Sequence, residues 1–168
     1  DRSDGTIPAS GSVSFYLRMF NAVTPFTVPR NFTLTIAAVS GAAENDGSAI
    51  EFNWQEGNGL NMENYTDITR DGTGANWINM GSSSTEGVVK WGNAGGPSVG
   101  GVYYSDTSSS FTQTFDNGTE DLEIDITTLV EQWLNSAGNV LGVKNNYGVG
   151  VMLSSSHETE NRSYYTKK

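Results

Sequence analysis

Residues 120–167 read EDLEIDITTLVEQWLNSAGNVLGVKNNYGVGVMLSSSHETENRSYYTK, and this stretch decides the predicted fold. Apolar side chains alternate with acidic ones over 122–126, a period of two that is typical of a half-buried β-strand. The alternation returns over 149–153, and residues 162–167 supply a predicted partner strand. The stretch therefore predicts a strand, a short helix, a strand, a turn and a final strand.

Between the first two of these strands the apolar spacing becomes helical, and the pattern is carried by Leu129, Val130, Trp133 and Leu134. We predict one short helix near 127–135. Thr127 or Thr128 is expected to cap its first amides, with Glu131 completing the cap. Trp133 lies on this helix beside Leu129, and we expect it to be a core residue.

The rest of the chain shows further strand patterns. Strands are predicted at 14–19, 31–39, 50–54 and 110–115, where apolar and polar residues alternate. Asp116, Asn117 and Gly118 form a strong hairpin-type turn signal. The glycine-dense segment 58–110 is expected to form extended loops. The predicted fold is all-β: a two-sheet jelly-roll sandwich of about eight strands with one short helix.

The domain organisation follows from length and composition. At 168 residues the chain has the size of one domain. Residues 1–12 are polar and contain glycine and serine, so we predict a flexible arm or docking tail there. Residues 13–168 are predicted to form a single β-sandwich domain. No apolar run reaches membrane-spanning length, so we expect no membrane insertion.

Charge and cysteine content narrow the classes of partner and chemistry. The chain has nine basic and nineteen acidic residues, which gives a formal net charge of −10. No cluster of lysine or arginine is present, so we expect no nucleic-acid partner. The chain has no cysteine, which excludes disulfides, thiol chemistry and zinc–thiolate sites.

Side chains suited to catalysis are scarce. His157 is the single histidine, and its neighbours Ser156 and Glu158 point to different faces of a turn, so the three cannot relay a proton. Glycoside cleavage needs a pair of carboxylates, and the candidates near the middle of the chain are Glu56, Glu63, Asp67 and Asp71. No spacing singles out two of them. We therefore predict that the chain is not an enzyme.

Three glycine turns, at 44–47, 71–74 and 116–121, place side-chain oxygens as calcium prefers them. The last turn is the strongest candidate, and its predicted ligands are Asp116, Asn117, Glu120 and Asp121. Asparagine and aspartate also favour such turns without any metal, so a plain turn is the alternative. Calcium is the one candidate cofactor.

Aromatic residues in the middle of the chain are candidates for a sugar-binding platform, because sugar rings stack on exposed aromatic faces. The platform candidates are Trp77, Trp91, Tyr103 and Tyr104, and Trp54 belongs to the same group of aromatics. The alternative is that each tryptophan fills an end of the sandwich under a loop.

Several motifs also follow one another in a familiar order: Trp54-x-Glu56-Gly57, Gly74-Ala75-Asn76-Trp77, Trp91 with Gly95-Gly96, Leu122 to Thr127, Val130-x-x-Trp133-Leu134, and Asn146 to Val151. This order, over residues 31–167, resembles the DNRLRE-type domain, which is related to disaggregatase-like repeats and to a family of polysaccharide-binding modules. The chain departs from that family in its longer middle and at its end, where Asn161-Arg162-Ser163-Tyr164 replaces the usual Leu-Arg-Glu.

The resemblance implies a β-jelly-roll on a secreted or surface protein, and it extends to structural proteins of tailed phages. We expect a non-catalytic structural or interaction module of a virion, such as a head-decoration, fibre or tail-associated protein. Its partners would be other structural subunits or copies of itself. The alternative is a carbohydrate-binding module of a secreted bacterial protein, calcium-dependent or not, with a polysaccharide as partner. The expected location is the virion, the extracellular space or the cell surface.

Overall fold

The computed structural model of the chain contains two compact units, each built from several stretches of sequence. Unit 1 comprises 1–37, 106–144 and 149–168, and unit 2 comprises 38–105 and 145–148. The structure describes residues 6, 8–23, 25, 27–40, 42–43, 50–51, 54, 75, 79–83, 87–91 and 103–154.

The described residues form nine short strands and one helix, which confirms the predicted all-β class with a short helix. In chain order the elements are β1 (Tyr16–Met19), β2 (Phe32–Ala38), β3 (Ala42–Ala43), β4 (Ile50–Glu51), β5 (Asn79–Ser83), β6 (Gly87–Lys90), β7 (Ser110–Phe115), β8 (Leu122–Asp125), α1 (Thr127–Leu134) and β9 (Val149–Leu153). The described sheets do not establish jelly-roll connections or a count of about eight strands, and these stay predictions. The division into an arm at 1–12 and one domain at 13–168 also stays a prediction.

The larger sheet of unit 1 has three strands in the order β7-β2-β9. β2 pairs antiparallel with β7, and Phe32 lies opposite Phe115. Next to β9, the Ser154 N–H donates to the Thr33 carbonyl at 3.0 Å. β2 is therefore an interior strand with a partner at each edge, as the alternation over 31–39 predicts.

A second antiparallel sheet in unit 1 joins β1 to β8, with Tyr16 opposite Asp125 and Met19 opposite Leu122. Both sheets contribute to one core cluster, whose buried members are Phe32, Ile36, Phe115 and Leu122. Partly buried residues that pack against it are Leu17, Leu34, Ile124, Val149 and Leu153. Burial of these side chains is the main stabilising term of the unit, because each removes apolar surface from water.

The turn at 116–118 connects two strands that belong to different sheets, since β7 pairs with β2 and β8 pairs with β1. The predicted hairpin is therefore wrong for the described pairing. The side chain of Gln113 bridges the two strands instead: its Nε2 donates to the Asp121 carbonyl at 2.9 Å, and its Oε1 accepts from the Glu123 N–H at 2.9 Å.

Glycine is required at position 118. Gly118 has a φ of +74°, in the left-handed region that favours glycine. A Cβ atom there would lie 1.8 Å from the carbonyl oxygen of Pro29. The turn therefore brings the chain at Pro29 into direct backbone contact with the β7–β8 connection.

Helix α1 begins differently from the prediction. Its N-cap is Ile126, and no threonine side chain caps it. Asp125 Oδ1 accepts from the Thr127 N–H at 2.8 Å, while Thr127 Oγ1 accepts from the Phe15 N–H at 2.8 Å. The predicted cap fails because the helix begins one residue earlier than a Thr127 cap requires and two earlier than a Thr128 cap requires, and the side chain of Glu131 binds Ser10 and Gly11.

The buried face of α1 is partly polar. Leu129 and Gln132 are fully buried, and Glu131 is buried as well. Trp133 is partly buried with its indole nitrogen covered, and it belongs to neither of the two core clusters. The expectation that it is a core residue stays a prediction. The helix ends at Asn135, which adopts the left-handed conformation with φ of +48° and donates its N–H to the Glu131 carbonyl.

Unit 2 contains two short antiparallel pairs, β3 with β4 and β5 with β6. Its core cluster is formed by Val39, Met80 and Trp91, with Ala75 and Tyr147 partly buried against it. The β5–β6 pair lies inside the segment 58–110, where the sequence predicts loops, so that prediction is wrong for these strands. The predicted strand at 162–167 lies outside the described residues.

Candidate functional site

The loop at 116–121 contains the four predicted calcium ligands, and the carboxylates of two of them, Glu120 and Asp121, accept hydrogen bonds from the protein. Glu120 Oε1 accepts from the Asn117 N–H at 2.8 Å, from the Asp116 N–H at 3.1 Å and from Asn117 Nδ2 at 3.3 Å. Its Oε2 accepts from the Thr119 N–H at 2.9 Å. Asp121 Oδ1 accepts from the Asn21 N–H at 2.8 Å.

These donors explain the acidity of Glu120. The hydrogen bond from the Asn117 backbone is the largest cause, and with the other backbone donors it lowers the pKa of Glu120 from 4.5 to about 2. The charged carboxylate thus closes the turn through four amide donors. Any cation at this loop would compete with these bonds for the same two oxygens.

Among the described residues, no group of three or more histidine, cysteine, aspartate or glutamate side chains is arranged to hold a metal ion. The calcium turns at 44–47 and 71–74 lie outside the described residues. Calcium at 116–121 therefore stays a prediction, and the geometry of Glu120 favours the plain-turn alternative.

Of the four residues of the predicted sugar platform, the structure buries Trp91 and partly buries the two tyrosines in unit 2. Trp91 is 9% exposed and packs in the cluster with Val39 and Met80, so its ring faces are covered by protein. Tyr103 forms an isolated bridge with Val39, and both Tyr103 and Tyr104 are partly buried. For Trp91 this favours the core alternative over the platform. Trp77 lies outside the described residues.

Trp54 differs from Trp91 in both exposure and orientation. Its side chain is 41% exposed, and its Nε1 donates to the Tyr147 carbonyl at 2.8 Å. The hydrogen bond fixes one edge of the indole, while part of the ring remains open to solvent. Trp54 is therefore the described tryptophan with the most suitable geometry for stacking on a ligand.

A polar network that the sequence analysis missed lies in unit 1 between α1 and the chain before β7. Gln132 is fully buried, and its Nε2 donates to the Ser108 carbonyl and Oγ, both at 3.1 Å. Its Oε1 accepts from Lys144 Nζ at 2.6 Å. Lys144 Nζ also pairs with Asp106 Oδ2 at 3.4 Å.

Asp106 collects donors from its own turn. Ser108 Oγ and Ser109 Oγ donate to Asp106 Oδ2 at 2.5 and 2.8 Å. Partial burial alone would raise the pKa of Asp106, but these two bonds and the charge of Lys144 outweigh it and lower the pKa. The Asp-x-Ser-Ser spacing is the sequence signal that predicts such a turn. The network holds loop and helix together, with its charged groups paired.

Residues 139–143 form a loop with a defined backbone and an apolar surface. Asn139 Nδ2 donates to the Gly142 carbonyl at 2.7 Å, and its Oδ1 accepts from the Leu141 N–H at 2.9 Å. Val140 is 92% exposed, and Leu141 and Val143 are exposed as well. Three apolar side chains thus stand in solvent on a hydrogen-bonded loop, followed by the anchored Lys144.

A second set of exposed apolar side chains follows the N-terminal part of the chain: Val13, Tyr16, Met19, Phe20 and Val23. We call this set the N-terminal row. Phe20 is 82% exposed and Val23 is fully exposed. Apolar surface of this extent in one stretch marks an interaction site more often than isolated exposed residues do.

The segment before the row is fastened to α1. Glu131 Oε1 accepts from the Gly11 N–H at 2.7 Å, and its Oε2 accepts from Ser10 Oγ. The Ser10 N–H donates to the Ala137 carbonyl at 2.8 Å. The sequence analysis missed this role of Glu131, because its partners lie about 120 residues away along the chain and no local pattern links them.

The catalytic candidates from the sequence, His157, Glu56, Glu63, Asp67 and Asp71, lie outside the described residues. No helix in the described part of the chain is long and apolar enough to cross a membrane.

Comparisons with protein-family models, with curated proteins and with solved structures find no match to this chain.

Proposed function

We propose that this chain is a non-catalytic structural module that works by associating with copies of itself and with other subunits of a virion or cell-surface assembly. The observation that carries this proposal is the exposure of large apolar side chains at ordered positions. Phe20 and Val23 in the N-terminal row, and Val140 and Val143 in the loop 139–143, stand in solvent in unit 1. Such surface is unfavourable in an isolated molecule and becomes favourable once it is covered.

The loop 139–143 supports a docking role because its backbone is already ordered. Asn139 closes the loop through its amide group, and the Lys144 N–H donates to the Gln132 carbonyl at 3.4 Å. Binding through a preordered loop avoids much of the conformational entropy that a flexible loop would lose. When Val140 and Val143 are covered in an interface, the gain from burying their apolar surface is therefore opposed by little loss of entropy.

Composition supports the same role. The net charge of −10 keeps the free chain soluble despite its apolar patches. The resemblance of residues 31–167 to DNRLRE-type domains and to tailed-phage structural proteins adds support for a jelly-roll fold and for a virion or extracellular location.

Sedimentation velocity at rising protein concentration tests the proposal. We expect the chain to associate, and we expect the Val140→Ser/Val143→Ser variant to associate less while keeping the same unfolding midpoint in urea. A matched control is Thr112→Ser, which changes an exposed residue on β7 away from both apolar sets. A chain that stays monomeric at every concentration would contradict self-association.

Carbohydrate binding is the second candidate, and Trp54 is the observation that favours it. The fixed and partly exposed indole of Trp54 has the geometry of a stacking surface. Calorimetry with acidic and neutral polysaccharides, with and without calcium, tests this function. Heat that is lost in Trp54→Ala and kept in Tyr16→Ala would support it, and absence of heat in all samples would exclude those ligands.

A further inference from the structure

Apart from the turn bond from the Ser12 N–H to the Ala9 carbonyl, the described hydrogen bonds of residues 10–21 that leave this segment reach one continuous stretch, 118–137. They begin at Ala137 and Glu131, which hold Ser10 and Gly11, and continue through Thr127 to Phe15. β1 then pairs with β8, and Arg18 forms an ion pair with Glu123 at 3.0 Å. Residues 10–21 therefore dock as one piece on the surface formed by residues 118–137, which we call the acceptor surface.

Apolar packing adds one side chain to this set. Leu17 is partly buried against the core cluster of Phe32, Ile36, Phe115 and Leu122. Leu17 is not part of the N-terminal row, whose five members are all exposed. The pairing of β1 with β8, the hydrogen bonds to 118–137 and the packing of Leu17 make the contact, and β1 pairs with no strand of the three-stranded sheet. The segment can therefore leave without dismantling that sheet.

The connection after β1 leaves the acceptor surface and returns to it. Asn21 Nδ2 donates to the Gly118 carbonyl at 3.1 Å, and the Pro29 carbonyl lies against the Cα of the same glycine. Asn21 and Pro29, at the two ends of this connection, therefore both contact Gly118, and Val23 between them is fully exposed. If extended, the eight steps from Asn21 to Pro29 span up to about 27 Å, which is enough to reach a neighbouring molecule.

We propose that residues 8–19 exchange between two copies of this chain, so that β1 of each copy pairs with β8 of the other. This inference rests on the proposed self-association and names its partner and geometry. The acceptor surface on a second copy is identical to the intramolecular one, so the exchanged dimer keeps every contact of the segment. The connections at 22–28 then run side by side between the copies, where Phe20 and Val23 can be covered.

The net charge of the chain makes the expected amount of exchanged dimer depend on salt concentration. Each copy carries a net charge of −10, so two copies repel each other over long range at low ionic strength. Salt screens this repulsion but leaves the apolar and backbone contacts of the segment intact. The exchanged dimer should therefore increase with salt concentration, in contrast to an association held together by surface ion pairs.

Disulfide trapping between two single-cysteine chains tests the exchange, and the absence of native cysteine makes the readout clean. Arg18 and Glu123 face each other across β1 and β8. Directly paired residues on antiparallel strands have Cα atoms within the range that a disulfide spans. An Arg18→Cys chain and a Glu123→Cys chain are mixed, unfolded in urea, refolded together and oxidised. Peptide mapping then identifies the 18–123 link, which can form only between copies.

The matched control uses Thr33 and Thr114, which face each other across β2 and β7 and lie in the sheet that does not exchange. A mixture of Thr33→Cys and Thr114→Cys chains reports random collision. We expect the 18–123 link to exceed the 33–114 link by at least about tenfold, because exchange holds its two positions together at high effective concentration. Equal yields of the two links would overturn the proposal.

A variant with substitutions just before and within residues 22–28 distinguishes exchange from other forms of association. Phe20→Ser/Val23→Ser should reduce the yield of the 18–123 link several-fold and leave the urea midpoint of the dilute chain unchanged. If the unmodified chain associates but the mixture of Arg18→Cys and Glu123→Cys chains gives no 18–123 link above the control, exchange is wrong and the proposed function stands. If the chain stays monomeric and gives no link, both fail.

Discussion

β1 and β2 are strands of the same unit, and both contribute to the same core, but they differ in what surrounds them. β2 has a partner strand on each edge and buries Phe32, Ile36, Ala37 and Ala38. β1 has one described partner strand and buries only part of Leu17, while Tyr16 and Met19 stay exposed. β2 therefore carries more of the buried apolar surface of the unit, while β1 leaves Tyr16 and Met19 in solvent, and the proposed self-association would use that exposed surface.

The largest expected effect comes from emptying the core beside β2. Ile36 is fully buried in the cluster with Phe32 and Phe115. Ile36→Ala removes three methyl or methylene groups and leaves a cavity, so we expect a loss of about 2–5 kcal/mol in the free energy of unfolding. Urea denaturation measures this loss. Val23→Ala is the control on the exposed row and should change stability by less than about 0.5 kcal/mol.

A smaller effect on stability is expected at the 116–118 turn, where the chain before β2 contacts the connection between β7 and β8. Gly118 has a positive φ, and a side chain there would overlap the Pro29 carbonyl. Gly118→Ala should therefore destabilise the unit by about 1–3 kcal/mol, since the backbone must move to remove the overlap. Equilibrium unfolding of this variant beside Gly142→Ala is the measurement. Gly142 also has a positive φ but has open space around its Cα, so the difference isolates the contact with Pro29.

The next prediction concerns the hydrogen bonds that hold the N-terminal segment against α1. Glu131→Ala removes the acceptor of Ser10 and Gly11 and should cost about 1–3 kcal/mol, because two hydrogen bonds to a charged carboxylate are lost. Amide hydrogen exchange should rise at Gly11 and stay unchanged at Thr35 in β2. Equal protection of Gly11 in both proteins would show that Glu131 does not hold the segment.

The effect of acid on the 116–121 turn is expected to be smaller still. The folded pKa of Glu120 is lowered from 4.5 to about 2, so its carboxylate stabilises the fold above pH 4.5. This contribution disappears as the pH falls through about 2. The urea midpoint of the protein should therefore decline between these pH values, and Glu120→Gln should flatten that decline. Identical pH profiles for the two proteins would contradict the role of Glu120 in closing the turn.

The sequence predicts β2, β7, α1 and β9 well, because each carries its own periodic pattern of buried and exposed residues. It fails where a long-range contact decides the outcome. The spacing of Glu131 from Thr128 matches a helix cap, but the fold brings Ser10 and Gly11 to the carboxylate. Similarly, Asp-Asn-Gly predicts a hairpin, but the following strand pairs with β1 instead of β7.

The candidate sites show the same limit. Trp91 and Trp54 are equivalent as residue types, and only the packing around them distinguishes a buried ring from an exposed one. The apolar run Asn139-Val140-Leu141-Gly142-Val143 gives a usable signal, since valine and leucine inside an asparagine-glycine loop are unusual. The sequence does not say which of its apolar residues the fold covers, and this is why the N-terminal row could not be predicted.

Hydroxyl-radical footprinting of methionine tests most directly whether the N-terminal row is an interface. Met19 on β1 is exposed, and Met80 in the core of unit 2 is buried, so the two give an internal comparison within one chain. In dilute protein Met19 should be oxidised much faster than Met80. As the protein concentration rises, oxidation at Met19 should fall toward that at Met80, because association covers the row. A rate at Met19 that stays constant up to the highest concentration would contradict an interface there.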